Sequence, residues 1–262
     1  MVSTTAVMDT QFTEQFNNFL QSETDAKLKQ LRESAFAAFT ELGFPTPKDE
    51  DWKYTDVRRI ANTPWTVFPT SILPDNESAQ NLDRLKAFGS GRNGFTALNV
   101  SFAQFLVVVI PKDVSFSEPI TLDFGARNGA MTCPHVLIVA ESGCKVTIIE
   151  SYKSNSSSFI NSAVQVFVGD NANVTHYRIQ KDDVESYHYG VTEVNIGRGS
   201  RYDSTNINLG GAISRHDIDV KFTAEGGEAW VDGLYMLSGS QHSDTHSIID
   251  HTVPNCTSHQ DY

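Results

Sequence analysis

The chain has 262 residues, 39% of them hydrophobic, which is enough to bury a full core in one or two domains and excludes a disordered polymer. Its formal net charge of −12 repels phosphate backbones and anionic lipid, which disfavours nucleic-acid and membrane-surface roles. The longest apolar run, residues 105–110, stops at Pro111, far short of the roughly 20 residues a membrane helix needs. Residues 1–8 show neither the basic start nor the apolar core of a signal peptide. Cys133, Cys144 and Cys256 fit no standard disulfide or zinc spacing and suit a reducing compartment, so a cytoplasmic location is expected.

Along the chain, Phe16, Phe19, Leu20, Leu28, Leu31, Ala35, Phe36 and Phe39 recur at helical spacings between residues 13 and 42. The pattern predicts two amphipathic helices broken near residues 22–25, with Gly43 ending the second. Next comes a dense box, Phe44-Pro45-Thr46-Pro47-Lys48-Asp49-Glu50-Asp51-Trp52-Lys53-Tyr54-Thr55-Asp56-Val57. Pro45 and Pro47 fix φ and exclude helix before them, so the box reads as an extended arm. Trp52 and Tyr54 can lie on a neighbouring surface while the charged residues stay wet. Residues 1–60 thus form an N-terminal helical region with its arm.

Residues 61–94, carrying Pro64, Pro69 and Pro74 and a short helix near residues 78–88, read as a linker and cap. From Phe95 onward the runs are short, rich in Val, Ile, Thr, Tyr and Phe, and punctuated by Gly, Asn, Asp or Ser, which is strand chemistry. Val146, Val174, Tyr202 and Trp230 fall into one column with a step of 28 residues. A fixed period of that size predicts a solenoid, a parallel β-helix over residues 95–262. An antiparallel sandwich with evenly spaced strands is the competing architecture. The column beginning at Ile148 continues as His176, Ser204 and Asp232, so the repeat weakens toward its end.

The box resembles the signature of the SufD family of iron–sulfur cluster assembly proteins: Gly43, Pro45, Thr46, Glu50, Trp52, Lys53, Tyr54 and Thr55 match its pattern, with Asp51 at a variable position. The segments Leu209-Gly210-Gly211-Ala212 with Arg215 and His216, Gln241-His242-Ser243-Asp244, Asp250-His251 and Pro254-Asn255-Cys256-Thr257-Ser258 also look like that family's later segments. The resemblance implies a mostly β chain, a right-handed parallel β-helix behind an N-terminal α-helical region. It also implies a non-enzymatic subunit of the Suf scaffold, partnered by a SufB-like subunit and a SufC-like ATPase. Any iron or iron–sulfur cluster would be transient and held at an interface shared within the complete complex. Family members continue past the position of Tyr262 into further turns and a helical region that docks the ATPase, so the chain reads as C-terminally truncated. A SufB-like role is the near alternative, since the two families share fold and motifs.

His242, Asp244 and His246 alternate, so a strand puts them on one face, a spacing compatible with a divalent metal; His251, Cys256 and His259 follow closely. Cys256 is the thiol whose reactivity a neighbouring histidine would raise. Alternating polar residues are equally what the solvent face of any strand looks like. Cys133 and Cys144 read as packing residues. Gly210-Gly211 and Gly226-Gly227 open no helix and carry no phosphate-loop pattern, so they read as turns. The rival of a different class is a β-helix enzyme acting on polysaccharide, with Asp232, Asp244 and Asp250 as acid/base candidates.

Overall fold

The computed structural model describes residues 4–68, 82–86, 88–89 and 91–262. It is mostly β, a parallel solenoid of about six turns with helices at the N-terminal end. Helices α1 (Thr4–Gln21) and α2 (Ala26–Leu42) part where expected, although α1 starts nine residues earlier than its periodicity suggests. Asp25 caps α2 by accepting the N–H groups of Lys27 (2.8 Å) and Leu28 (2.9 Å). Gly43 ends it at φ +63°, a backbone setting that favours glycine. The helix expected near residues 78–88 lies partly outside the described residues; its described part is α3 below.

After a 3-10 turn at Glu50–Trp52, one turn of helix at Arg58–Ala61 and the two-residue strand β1 (Thr66–Val67), the described chain continues with α3 (Leu82–Lys86) and α4 (Gly94–Phe102). The helix α4 occupies residues that read as the first strand chemistry. Every residue of α4 is buried, so no apolar stripe of period 3.6 marks it. The legible signal was its cap: the Asn93 side chain accepts the Thr96 N–H (3.0 Å) and Thr96 Oγ1 accepts the Asn93 N–H (3.2 Å).

The strands then run β2 (Gln104–Ile110), β3 (Ile120–Ala126), β4 (Ala130–Thr132), β5 (Pro134–Ala140), β6 (Lys145–Ser154), β7 (Phe159–Val168), β8 (Asn173–Lys181), β9 (Tyr187–Ile196), β10 (Arg201–Asn208), β11 (Ile213–Phe222), β12 (Glu228–Tyr235), β13 (His242–Asp250) and β14 (Thr257–Asp261). The first sheet joins β2, β5, β7, β9, β11 and β13, with β1 and β4 attached beside β7. The second joins β3, β6, β8, β10, β12 and β14 in that order. Every ladder between strands is parallel, which rules out the antiparallel sandwich.

The two sheets differ in pattern because they differ in cover. In the second sheet buried and exposed positions alternate, as along β6 and β8, since only the inner face packs. In β5 all seven residues are buried: Val136, Ile138 and Ala140 point into the solenoid, while Leu137 and Val139 join a second core beneath the helices. That outer core gathers Phe12, Phe16, Phe39, Phe44, Phe95 and Phe102 in edge-on and tilted contacts. Cys133 and Cys144 are buried packing residues, Cys133 in the outer core and Cys144 in the inner. No helix among the described residues is long and apolar enough to cross a membrane.

The 28-residue step holds from β6 to β8 and from β8 to β10, where Val146, Val174 and Tyr202 stack. It fails at the last expected member. Tyr202 pairs with Ala229, 27 positions on, and Trp230 falls beside Asp203 on the outer face. The column from Ile148 correspondingly ends on buried Val231 rather than Asp232, so the interior stays apolar there. The cause is a shorter corner: β10 with its connection spans residues 201–212, against 173–186 for the turn before, and the connection 223–227 restores one residue. Gly210 and Gly211 make the tight corner possible. Gly211 sits at φ +89°, and a Cβ on Gly210 would lie 2.1 Å from the Asp182 carbonyl oxygen.

Replacing Gly210→Ala is therefore expected to cost about 1–3 kcal/mol as the corner is forced open. Gly91→Ala, whose added methyl meets nothing within 4 Å, is the matched control and should be close to neutral. Urea unfolding midpoints of the two variants decide this.

Candidate functional site

The arm from Gly43 onward crosses the outer face of the first sheet as a strap, and local chemistry sets its path. The Asp49 carboxylate accepts the Thr46 N–H (2.7 Å) and hydroxyl (3.1 Å), closing the turn that leads into Glu50–Trp52. Trp52 is thereby driven inward, against Phe95 (5.4 Å) and Tyr189 (5.7 Å), with the Arg215 guanidinium 4.0 Å from its ring centre. Thr55 follows as a fully buried residue. Tyr54, expected to lie on a surface as Trp52 does, instead points outward at 81% exposure, with the Lys53 ammonium 5.4 Å from its ring.

Under the strap lies one connected polar clasp. The Thr55 hydroxyl donates to Asp244 Oδ2 (2.5 Å), and its oxygen takes the Nε2 proton of His242 (3.1 Å). Arg215 donates to the same Asp244 oxygen (2.7 Å), to the Asp51 carbonyl (2.5 Å) and to Asp217 (2.8 Å). Asp217 also accepts from Tyr189 (3.0 Å), and Arg92 pairs with Asp219. One strap, three strands (β9, β11 and β13) and the entry to α4 are joined by this network. Burial lifts Asp217 above the ordinary carboxylate value, with Arg215 and Arg92 pulling the other way. Burial also pushes Glu193 up to about 7; its carboxylate accepts the Gly89 N–H (3.1 Å) and faces Asp219 and Arg92.

Of the signature residues, Trp52 and Thr55 face the sheet. Pro45 and Glu50 line a hollow of about 240 Å³ beside it, together with Asp49, Asp51 and Arg92. Thr46 helps form the turn, and Lys53 and Tyr54 face solvent. His242, Asp244 and His246 share the outer face of β13, paired in register with Ile213, Arg215 and Asp217. Two of the three are engaged in the clasp, and His246 stands 3.8 Å from Asp51. His251 and Cys256 lie elsewhere: His251 bonds Ser258 (2.9 Å), and Cys256 Sγ reaches the Ala224 carbonyl (3.5 Å). The structure thus does not gather the five metal candidates. Among the described residues no three His, Cys, Asp or Glu side chains could hold an ion together, and at β13 the Arg215 cation occupies the place between the carboxylates.

The polysaccharide-enzyme candidates are separated as well. Asp232 is on the second sheet, Asp244 and Asp250 on the first, and six residues of strand put the last two roughly 20 Å apart. Paired glycosidase carboxylates stand at most about 9.5 Å apart.

A second polar network, which the sequence reading missed, fills one side of the solenoid interior. His188 Nδ1 donates to Asp182 (2.8 Å), and Arg178 donates to His188 Nε2 (2.6 Å) and to Asn206 (3.0 Å). His176 bridges Glu150 and Tyr202 at 2.8 Å each, and Tyr152 donates to Glu150. Burial opposes the charge on Glu150, yet the hydrogen bond from His176 and the nearby Arg178 hold it below its ordinary value. Burial, then the Arg178 charge, lowers His188, which is neutral with its proton on Nδ1. Ser162 lies 3.3 Å from His188 Nε2, so Ser162, His188 and Asp182 have the outline of a hydrolytic triad. Its chemistry is blocked, because Arg178 uses the lone pair that would take the serine proton and all three side chains are sealed from solvent. One available signal was His176 in the column that begins at Ile148, which read only as a weakening of the repeat; the same step of 28 links Glu150 to Arg178 and was not read.

Comparison with known proteins agrees with both halves of this arrangement. The model described as "SufBD protein N-terminal region" matches residues 6–73, and that described as "SUF system FeS cluster assembly, SufBD core domain" matches residues 124–262. An iron–sulfur cluster assembly SufBD family protein of Synechocystis is 27% identical over 318 residues, covering 92% of this chain and 70% of the relative. A SufBD family protein of Mycobacterium tuberculosis is 24% identical, covering 85% and 59%. The iron–sulfur cluster assembly protein SufD of Escherichia coli is 22% identical, covering 94% and 68%. The chain spans between about six and seven tenths of the length of these relatives.

Two outcomes are expected at the clasp. Arg215→Ala leaves Asp217 and Asp244 without their shared cation and should cost about 3–5 kcal/mol in urea unfolding while opening the strap to trypsin at Lys53; Arg215→Lys should recover part of the loss. Glu193 holds its proton more tightly in the fold than in the unfolded chain, so its contribution to stability is complete below about 4.5 and gone above about 7. Stability measured across that window should fall with rising pH in the native chain by more than in Glu193→Gln, and equal slopes would refute the assignment.

Proposed function

Because the chain belongs to the SufBD family of iron–sulfur cluster assembly proteins, we propose that it is a non-catalytic, SufD-like scaffold subunit that pairs with a SufB-like subunit in the cytosol. The observation carrying this reading is the clasp. It locks the signature box onto β11 and β13, making one rigid body of the N-terminal region and the solenoid. Rigidity of that kind suits a platform on which partners are positioned. Inside the solenoid Glu150, His176, Arg178 and His188 hold one another and are sealed from solvent, which supports an architectural rather than a catalytic role.

Iron and cluster are cargo in this scheme, met at a surface shared with the partner and not retained by this chain. A SufC-like ATPase supplies the conformational work. We place its contact in the additional length that the relatives possess.

Co-expression of the tagged chain with SufB-like, SufD-like and SufC-like proteins tests the proposal. Retention of the SufB-like protein in near-equal amount, reduced in Arg215→Ala, is the expected result. Loss of all SufB-like binding by the folded chain would sink the scaffold role. Preference for a SufD-like over a SufB-like partner would instead identify it as the SufB-type subunit.

A further inference from the structure

Inside the solenoid, one branch of the polar network runs on a regular diagonal. The Tyr202 hydroxyl on β10 reaches His176 Nδ1 on β8 (2.8 Å), and His176 Nε2 reaches the Glu150 carboxylate on β6 (2.8 Å). Each link spans 26 residues, because each partner stands two positions past the register mate on the preceding strand, Val174 for Tyr202 and Ile148 for His176. All three side chains are sealed from solvent.

The network fixes where each proton sits. Burial opposes the Glu150 charge, yet the His176 hydrogen bond and Arg178 hold it below its ordinary value, so it is ionised and can only accept. Tyr152 donates to one of its oxygens and His176 Nε2 to the other. Arg178, 3.8 Å from Glu150, supplies the counter-charge, which leaves His176 neutral with a lone pair on Nδ1. Tyr202 is therefore the donor to that nitrogen. Burial pushes the Tyr202 phenol up, with a hydrogen bond from Ser204 pulling the other way, so at rest it keeps its proton.

A phenol that loses one electron becomes strongly acidic, so the electron leaves readily only where a base takes the proton in the same step. A neutral imidazole is a stronger base than a carboxylate by about two pK units. Tyr152 and Tyr189 are buried as well, but they donate to Glu150 and Asp217, carboxylates already engaged by Arg178 and Arg215. The wall that bars a substrate does not bar an electron: Asp203, next in the chain to Tyr202, faces outward on β10 with about a third of its side chain exposed. Exclusion of water from the surroundings protects a reactive intermediate from side reactions.

We propose that Tyr202, His176 and Glu150 form a proton-coupled one-electron site that holds an oxidising equivalent inside the solenoid. A strong outer-sphere one-electron oxidant takes one electron from Tyr202 and is itself reduced. The phenol O–H bond breaks, its proton forms an N–H bond at His176 Nδ1, and the resulting imidazolium lies against ionised Glu150. What remains is a neutral tyrosyl radical hydrogen-bonded to that imidazolium. One electron from a thiol or ascorbate reductant restores the phenol, the proton returning from Nδ1. The site is thus a reusable sink for oxidising equivalents, and it works whether or not the chain assembles with a partner.

Flash oxidation of the full chain by photogenerated tris(bipyridine)ruthenium(III), followed by transient absorption and electron paramagnetic resonance, tests the proposal. The native chain should give a tyrosyl signal that outlives those of the exposed Tyr54, Tyr177 and Tyr235. After equilibration in D2O the signal should form more slowly and show coupling to an exchangeable deuteron at the phenol oxygen. Ascorbate between flashes should return its full amplitude. Tyr202→Phe should lose the long-lived signal, and so should His176→Phe, which keeps Tyr202 but removes the base. Circular dichroism establishes that each variant is folded; if His176→Phe is not, the isotope effect and the deuteron coupling of the native chain decide. A native chain without a long-lived signal would overturn the proposal, as would a signal that survives in Tyr202→Phe. Formation indifferent to D2O with no exchangeable coupling would sink the role of His176, and amplitude lost irreversibly with each flash would sink the reusable sink.

Discussion

A parallel sheet with apolar side chains on both faces has to be covered twice, and the rest of this molecule follows from that requirement. The inner face of the first sheet is covered by the second sheet across the solenoid, through Val136, Ile138, Val164 and Val166 against Val146, Ile148 and Val174. The outer face needs a separate layer, which α1, α2 and α4 supply with a cluster of phenylalanines. Toward β11 and β13 that face turns from apolar to charged, and the helices give way to the strap. The signature box can therefore be understood as the polar end of a covering layer. Trp52 continues the aromatic core from Phe95, and Thr55 and the Asp51 carbonyl satisfy the charges that begin beyond it.

Burying charge is costly unless partners offset it, and two regions of the molecule supply those partners differently. In the clasp, Arg215 is shared among two carboxylates, a carbonyl and an indole face, so removing any one partner leaves others. Inside the solenoid, Arg178 stands between His188, Asn206 and Glu150, and Gly190 gives it room: a Cβ there would lie 2.7 Å from the guanidinium. Both networks span neighbouring turns. They thereby add to the backbone ladder a set of side-chain ties that fail together if a turn slips.

How much of this the sequence disclosed depended on whether a feature repeats. The two helices around Asp25, the strand-rich region and the stacking of turns were legible because amphipathic spacing and a period of 28 are local regularities. The shift at Ala229 was not, since a shortened corner at Gly210 and a lengthened one at 223–227 nearly cancel and leave a plausible but wrong column. Nor was α4, whose uniform burial erases its periodicity. The alternation Arg215, Asp217, Asp219 on β11 was a readable sign of a charged outer face, and it passed unremarked beside the histidines.

By itself the sequence determined the kind of protein this is: a parallel solenoid behind a helical region, carrying a signature box whose residue types constrain one another. Which residues meet was decided only by the tertiary structure. Thr55 and Asp244 are separated by 189 positions, and whether His242, Asp244 and His246 would face solvent, a metal or a strap depends on what covers β13. Period two fixes the face on which those side chains stand. It carries no information about what lies above that face, because cover is a long-range contact whose partners share no local pattern with it.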